Sequence, residues 1–153
     1  MPAEIDPIIA KRFPGADIKK LFAAYPNVSV LHGPINNLAA PESLDVVWTA
    51  QNYHDFHDPF YAPADLALVN KSVFAALKPG GLYIINDYEA AAGSGTRDTQ
   101  MLHRIDPAVI KQEVQAAGFQ FVGEGTAMKV PNDNLAERSH QTSSQVIYKF
   151  RKP

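Results

Sequence analysis

The sequence contains no cysteine. Disulfide frameworks, thiolate zinc ribbons, iron–sulfur clusters and a cysteine nucleophile are therefore excluded. It also lacks the uninterrupted apolar run of about 18 residues that a membrane-spanning helix needs. Neither sign of charge is in excess: 14 lysines and arginines against 16 aspartates and glutamates leave a formal charge of −2. A protein that held a duplex by neutralising phosphates would carry a basic surplus, so nucleic acid loses weight as a partner. The first residues, Met1-Pro2-Ala3-Glu4, have no basic stretch leading into an apolar core, so no signal peptide is read there. A cytoplasmic location and no membrane partner are expected. No internal repeat and no block of like charge is present.

What remains is an ordinary globular composition: 153 residues, 46% hydrophobic and 20% charged. A chain of this size forms one domain and buries roughly 68–70% of its unfolded surface. Helix-like and strand-like patterns alternate, which points to an α/β fold. Asp6-Pro7 reads as an N-cap with proline at the first helical position, opening a helix over 7–13. A second helical stretch, 17–24, stops at Tyr25-Pro26-Asn27, and a strand over 28–31 ends at His32-Gly33-Pro34. The near-continuous apolar run 44–50 fits a strand buried on both faces of a parallel sheet. A helix over 63–77 places Leu66, Val69, Val73 and Leu77 on one face. Pro79-Gly80-Gly81 breaks it, and a strand over 82–85 runs out into Asn86-Asp87-Tyr88-Glu89. The small, polar stretch 90–99 reads as a loop. Asp106-Pro107 repeats the cap-and-proline signal before a helix whose buried stripe is Val109, Ile110, Val114 and Ala117, with Gly118 as its C-terminal cap. Strands over 119–122 and 145–150 have no helix between them, so they are expected to pair antiparallel at one edge of the sheet. Trp48 and the phenylalanines are read as core.

Ligands of open α/β sheets bind beyond the carboxyl ends of the strands. Three such ends are polar here, and the richest is Gln51, Asn52, Tyr53, His54, Asp55, His57 and Asp58. Each of these can hydrogen-bond and several can move protons, although a solvated loop with caps has the same composition. His54, Asp55, His57 and Asp58 would be metal donors, but no third strong ligand follows at a defining spacing and His103 is distant in sequence, so no metal is assigned. Gly93-Ser94-Gly95 lacks the glycine spacing and the lysine of a phosphate loop and reads as a turn. Asp87 and Glu89 are candidates for an acid/base pair or for loop caps. His103-Arg104 suits an anion, or a surface ion pair.

The order of segments resembles one family. Leu44-Asp45-Val46-Val47-Trp48-Thr49-Ala50-Gln51-Asn52-Tyr53-His54-Asp55 resembles the fourth strand and following loop of class I S-adenosylmethionine-dependent methyltransferases. Phe74-Ala75-Ala76-Leu77-Lys78-Pro79-Gly80-Gly81-Leu82-Tyr83-Ile84-Ile85 resembles their helix, proline-glycine-glycine turn and fifth strand. Leu102-His103-Arg104-Ile105-Asp106-Pro107, the stretch 113–119 and the ending Tyr148-Lys149-Phe150-Arg151-Lys152-Pro153 are similar to a subfamily of predicted bacterial methyltransferases.

This resemblance implies a Rossmann-like methyltransferase sheet, mostly parallel with an antiparallel C-terminal strand pair, and S-adenosylmethionine as cofactor. It places Gly33, Pro34 and Ile35 beside the adenine, and Thr49, Ala50, Gln51 and Asn52 along the cofactor. His54 and Asp55 become the candidates for base or substrate orientation, and Tyr53, Asp87, His103 and Arg104 for contact with a small-molecule acceptor. The family's first strand and the glycine-rich turn that wraps the cofactor's amino acid end have no counterpart in the sequence. Pro2-Ala3-Glu4 resembles the end of the second strand, leaving Glu4 as the ribose ligand. The strand 44–50 is then expected to have an open edge, and either to pair with 28–31 or to form a homodimer. A non-catalytic protein of methyltransferase fold, acting as an oligomeric or binding module, is the alternative.

Overall fold

The computed structural model describes residues 17, 20, 22–40, 42–59, 64–139 and 141–153. Its elements are β1 (Leu44–Ala50), a 3-10 turn (His54–His57), α1 (Leu66–Ala76), β2 (Leu77–Tyr88), α2 (Thr99–Leu102), α3 (Pro107–Ala116), β3 (Gln120–Gly125) and β4 (Gln145–Arg151). The strands form one sheet in the order β1-β2-β4-β3. β1 runs parallel to β2, across the crossover helix α1, and β4 runs antiparallel to both β2 and β3. This is a mixed Rossmann-like sheet with its antiparallel pair at the C-terminal edge, as expected. The helix over 7–13 lies outside the described residues. Asp17 accepts a hydrogen bond from the Lys20 amide at 3.2 Å, as an N-cap does.

Local chemistry sets the boundaries. α1 starts after Asp65, whose carboxylate accepts from the Ala67 and Leu68 amides at 2.9 and 3.2 Å. Asp106 caps α3 through the Ala108 amide at 2.9 Å, with Pro107 in the first turn. Gly118 ends that region at φ +107°, and a Cβ there would stand 3.2 Å from the Phe74 ring. Both the conformation and the close approach require glycine. The Pro79-Gly80-Gly81 turn lies inside β2 rather than before it. The register jumps from Leu44↔Leu77 to Val46↔Leu82, and the Gly80 amide bonds to the Lys152 carbonyl at 2.9 Å. β2 is therefore much longer than the 82–85 expected, and it carries Asn86, Asp87 and Tyr88 inside the sheet.

The core lies on one face of the sheet. Tyr83, Ile85, Val146, Tyr148 and Phe150 meet Val73 of α1 and Ile110 and Val114 of α3 there. No described element covers the opposite face: Trp48 is 69% exposed, Val46 48% and Val122 40%. Two expectations are thereby corrected. β1 is not buried on both faces, and Trp48 is not core. The cause is the two-residue period of a strand: Val47 and Thr49 turn toward the helix side, while Val46 and Trp48 turn away from both helices. A third correction concerns the edge. Among the described residues no strand pairs with the outer side of β1. The segment 28–31 is not a strand: the Val28 amide bonds back to the Tyr25 carbonyl at 3.0 Å, and Leu31 turns into a cavity on the helix side. No described helix is long and apolar enough to cross a membrane.

Trp48 is the only tryptophan of the chain, so its fluorescence reads this face directly. Emission at long wavelength, with iodide quenching close to that of free indole, is expected. Blue-shifted emission protected from iodide would show the face to be covered.

Candidate functional site

The polar loop after β1 is held from beneath by two helices. Gln51 leaves the strand with a left-handed backbone, φ +57°, and its amide bonds to the Asn86 carbonyl at 2.7 Å. Tyr53 is buried; its hydroxyl donates to Glu113 Oε2 at 2.9 Å and accepts from Asn70 Nδ2 at 2.8 Å. Burial and the nearby Glu113 charge push the Tyr53 phenol well above its ordinary range, so it stays protonated. His57 Nε2 approaches the same Glu113 oxygen at 3.3 Å. α1 and α3 thus fix the loop through one phenol.

Above that anchor sits His54, 1% exposed, against Asp87, 0% exposed. Asp87 Oδ2 accepts from the His54 amide at 2.7 Å, and Oδ1 lies 2.7 Å from His54 Nδ1 and accepts from the Tyr88 amide at 2.8 Å. An ionised carboxylate only accepts, so Nδ1 carries the proton of that bond. His54 Nε2 consequently faces Asp55 Oδ1 at 3.2 Å and His103 Nδ1 at 3.1 Å. Burial pulls the His54 imidazole down, but the hydrogen bonds and charges of Asp55 and Asp87 override it and push its pKa up to about 9. His103 reaches the cluster from the end of α2 through a left-handed backbone, φ +52°.

Of the residues picked from sequence, His54, Asp55, Asp87 and His103 are thus brought together, with Tyr53 beneath. Asp87 lies wholly under His54, where it positions that ring rather than meeting solvent. Arg104 points elsewhere. It is 1% exposed, and its guanidinium makes a two-point pair with Asp133 at 3.0 and 2.7 Å. It also donates to the Glu89 and Glu137 carbonyls at 2.7 and 2.9 Å, clamping the 133–144 loop to the sheet. Burial opposes ionisation of Asp133, but Arg104 and the Ser144 amide hold its carboxyl below the usual range. Gly33, Pro34, Ile35 and Thr49 line a mainly apolar cavity of about 190 Å³ between the 31–39 segment, β1 and α1. Thr49 also donates to Asn52. Gln51 and Asn86 share Gln145 Oε1, at 3.4 and 2.7 Å. Ala50 and Asn52 lie exposed at the rim. Glu4 lies outside the described residues. Glu89 pairs with Lys129 instead of Asp87.

Sequence reasoning did not assign Glu113, Asn70, Asp133 or Gln145 to the site. A signal existed for the first two. Glu113 falls at helical spacing within the stripe of Val109, Ile110, Val114 and Ala117, and Asn70 adjoins Val69 of the other stripe. A polar side chain on a buried stripe has a partner to find.

Comparison with solved structures now gives the class. The chain superposes on the N-methyltransferase NodS of Bradyrhizobium japonicum WM9 with a TM-score of 0.61 at 12% identity, over 99% of this chain and 71% of that one. For the [4+2]-cyclase SpnF the TM-score is 0.62 at 15% identity, over 90% of this chain and 60% of that one. For the glycopeptide N-methyltransferase MtfA, solved with S-adenosyl-L-homocysteine, it is 0.57 at 12% identity, over 88% and 67%. The fold is that of the class I S-adenosylmethionine-dependent methyltransferases. No family model matches the chain, and no curated protein matches it.

Replacing Asp87 by asparagine is expected to lower the unfolding free energy by about 3–5 kcal/mol at neutral pH, the range for stranding one partner of a buried ion pair. Urea denaturation measures it. Because the folded His54 pKa is raised, the pair's contribution is complete below about pH 6.5 and is lost as pH rises through about 9. The gap between wild type and variant should therefore narrow in alkaline buffer. A gap that widens there would place the stabilising charge elsewhere.

Proposed function

We propose that this chain is an S-adenosylmethionine-dependent methyltransferase acting on a small-molecule acceptor. One observation carries the reading: His54, Asp55 and His103 converge beyond the carboxyl end of β1 in a sheet of methyltransferase fold. Ligands of open α/β sheets sit at that end. The weak net charge favours a small acceptor over nucleic acid.

The residues present suit the cofactor in part. A cavity of about 190 Å³ is smaller than the roughly 300–1,000 Å³ of whole-ligand sites, so it suits a flat apolar fragment such as adenine. Gly33, Pro34, Ile35 and Thr49 would hold that end, with Ala50, Gln51 and Asn52 along the strand terminus and Glu4 as the candidate for the ribose. When bound, the cofactor supplies an electrophilic methyl group. His54, protonated at neutral pH, orients the acceptor, and the partly exposed Asp55 carboxylate takes its proton. Tyr53 and Asp87 hold this pair in place, His103 borders the acceptor, and Arg104 fixes the neighbouring loop.

A second reading rests on the edge of β1, which no described strand pairs. In that reading the chain is a non-catalytic binding module, and the edge of β1 pairs with a second copy. SpnF, a cyclase with the same fold, illustrates that fold alone does not fix a reaction.

Calorimetric titration with S-adenosylhomocysteine separates the two. Saturable micromolar binding of one ligand per chain is the expected result. Heat no greater than dilution would overturn the enzyme reading. Where binding is found, Asp55→Asn is expected to lower turnover by about 10²–10⁴-fold, the usual contribution of a general base.

A further inference from the structure

Three potential metal donors from two segments of the chain meet in the His54 cluster. Asp87 takes the Nδ1 proton of His54, so Nε2 is the ring atom turned outward, and a metal ion there would replace the proton that Nε2 otherwise holds. Nε2 faces Asp55 Oδ1 and His103 Nδ1. The three separations are 3.2 Å for His54–Asp55, 3.1 Å for His54–His103 and 3.7 Å for His103–Asp55. With bonds of about 2.0–2.2 Å to nitrogen and oxygen, the corners of a tetrahedral metal shell lie about 3.3–3.6 Å apart. The observed triangle brackets that spacing with little movement required. Its composition also selects the ion. Calcium and magnesium take shells of oxygen, whereas two imidazoles and one carboxylate suit zinc or a neighbouring first-row metal.

We infer that His54 Nε2, Asp55 Oδ1 and His103 Nδ1 form a three-ligand site for a divalent transition-metal ion, with Asp87 as the outer carboxylate that orients His54. A carboxylate behind a metal-bound histidine is how such rings are held and their tautomer set. Here Asp87 does this from full burial, gripping the amide and the ring of one residue. His54 is buried while Asp55 and His103 are partly exposed, so the remaining coordination position opens toward solvent. It would take water or an oxygen of a bound ligand. A bound metal would displace the Nε2 proton of His54 and engage the Asp55 carboxylate, so it is an alternative to the proton-handling roles proposed above for those residues; its test requires neither the cofactor nor an acceptor.

The test uses the full chain, stripped with a chelator, in the absence of S-adenosylhomocysteine. Zinc chloride is titrated in a calorimeter, and cobalt(II) is added in parallel to read the visible bands of a tetrahedral ion. One saturable zinc per chain is expected, with no saturable uptake of magnesium. His103→Ala and Asp55→Ala should each weaken zinc binding by at least about tenfold, the lower bound seen when even an outer partner of a site is lost. His57→Gln, which lies outside the triangle, should bind as the wild type does. Using two variants on different segments guards against one of them failing to fold. Absence of saturable zinc uptake, or wild-type affinity in a folded His103→Ala, overturns the proposal. So does loss of binding in His57→Gln alone, which would mark a different site on the same loop.

Discussion

A single buried carboxylate organises the polar end of this sheet. Asp87 has no exposure, and desolvating a charge costs several kcal/mol unless donors surround it. Three donors do: the His54 amide, His54 Nδ1 and the Tyr88 amide. Two of the three belong to the loop after β1, so satisfying the charge locks that loop onto β2. The tautomer of His54, the direction of its Nε2 and the meeting with Asp55 and His103 all follow. β2 can supply this carboxylate only because it stays in the sheet through Tyr88, paired with β4.

Two further polar anchors complete the frame. Tyr53 spends its hydroxyl on Glu113 of α3 and Asn70 of α1, inside the apolar layer that covers the sheet. Arg104 neutralises Asp133 and caps two backbone carbonyls, drawing in the long connection between β3 and β4. A site whose side chains are held by packed and hydrogen-bonded neighbours keeps its geometry without a ligand. Asp87, Tyr53 and Arg104 are buried, while Asp55 and His103 are partly exposed.

The fold constrains chemistry less than the site does. Methyltransferases and a cyclase share this sheet, so the reading of function rests on which groups converge at the strand ends. Among the described residues, the same sheet shows an apolar face that no helix covers, carrying Val46 and Trp48, and an edge strand without a neighbour. Both features fall on β1, the strand that also delivers the site loop.

Much of this was legible in the chain itself. The Asp106-Pro107 cap, Gly118, the stripes of α1 and α3 and the antiparallel final pair depend on local spacing and backbone preference, which a sequence states outright. The polar loop after β1 was legible for the same reason, since polarity after an apolar strand marks a strand end. Pairings across the chain were not. His103 lies 49 residues from His54 and Asp87 lies 33 away, and no periodicity links them; only the β1–β2 register and the turn after α2 bring them together. Trp48 shows the converse. Its apolar side chain suggested core, but burial needs a covering partner, and the alternation of β1 sends it to the face that the described helices leave open. Composition and local pattern determined the class of fold and the neighbourhood of the site. Tertiary structure decided which acid serves which histidine and which side of each strand meets water, because both depend on contacts between segments distant in sequence.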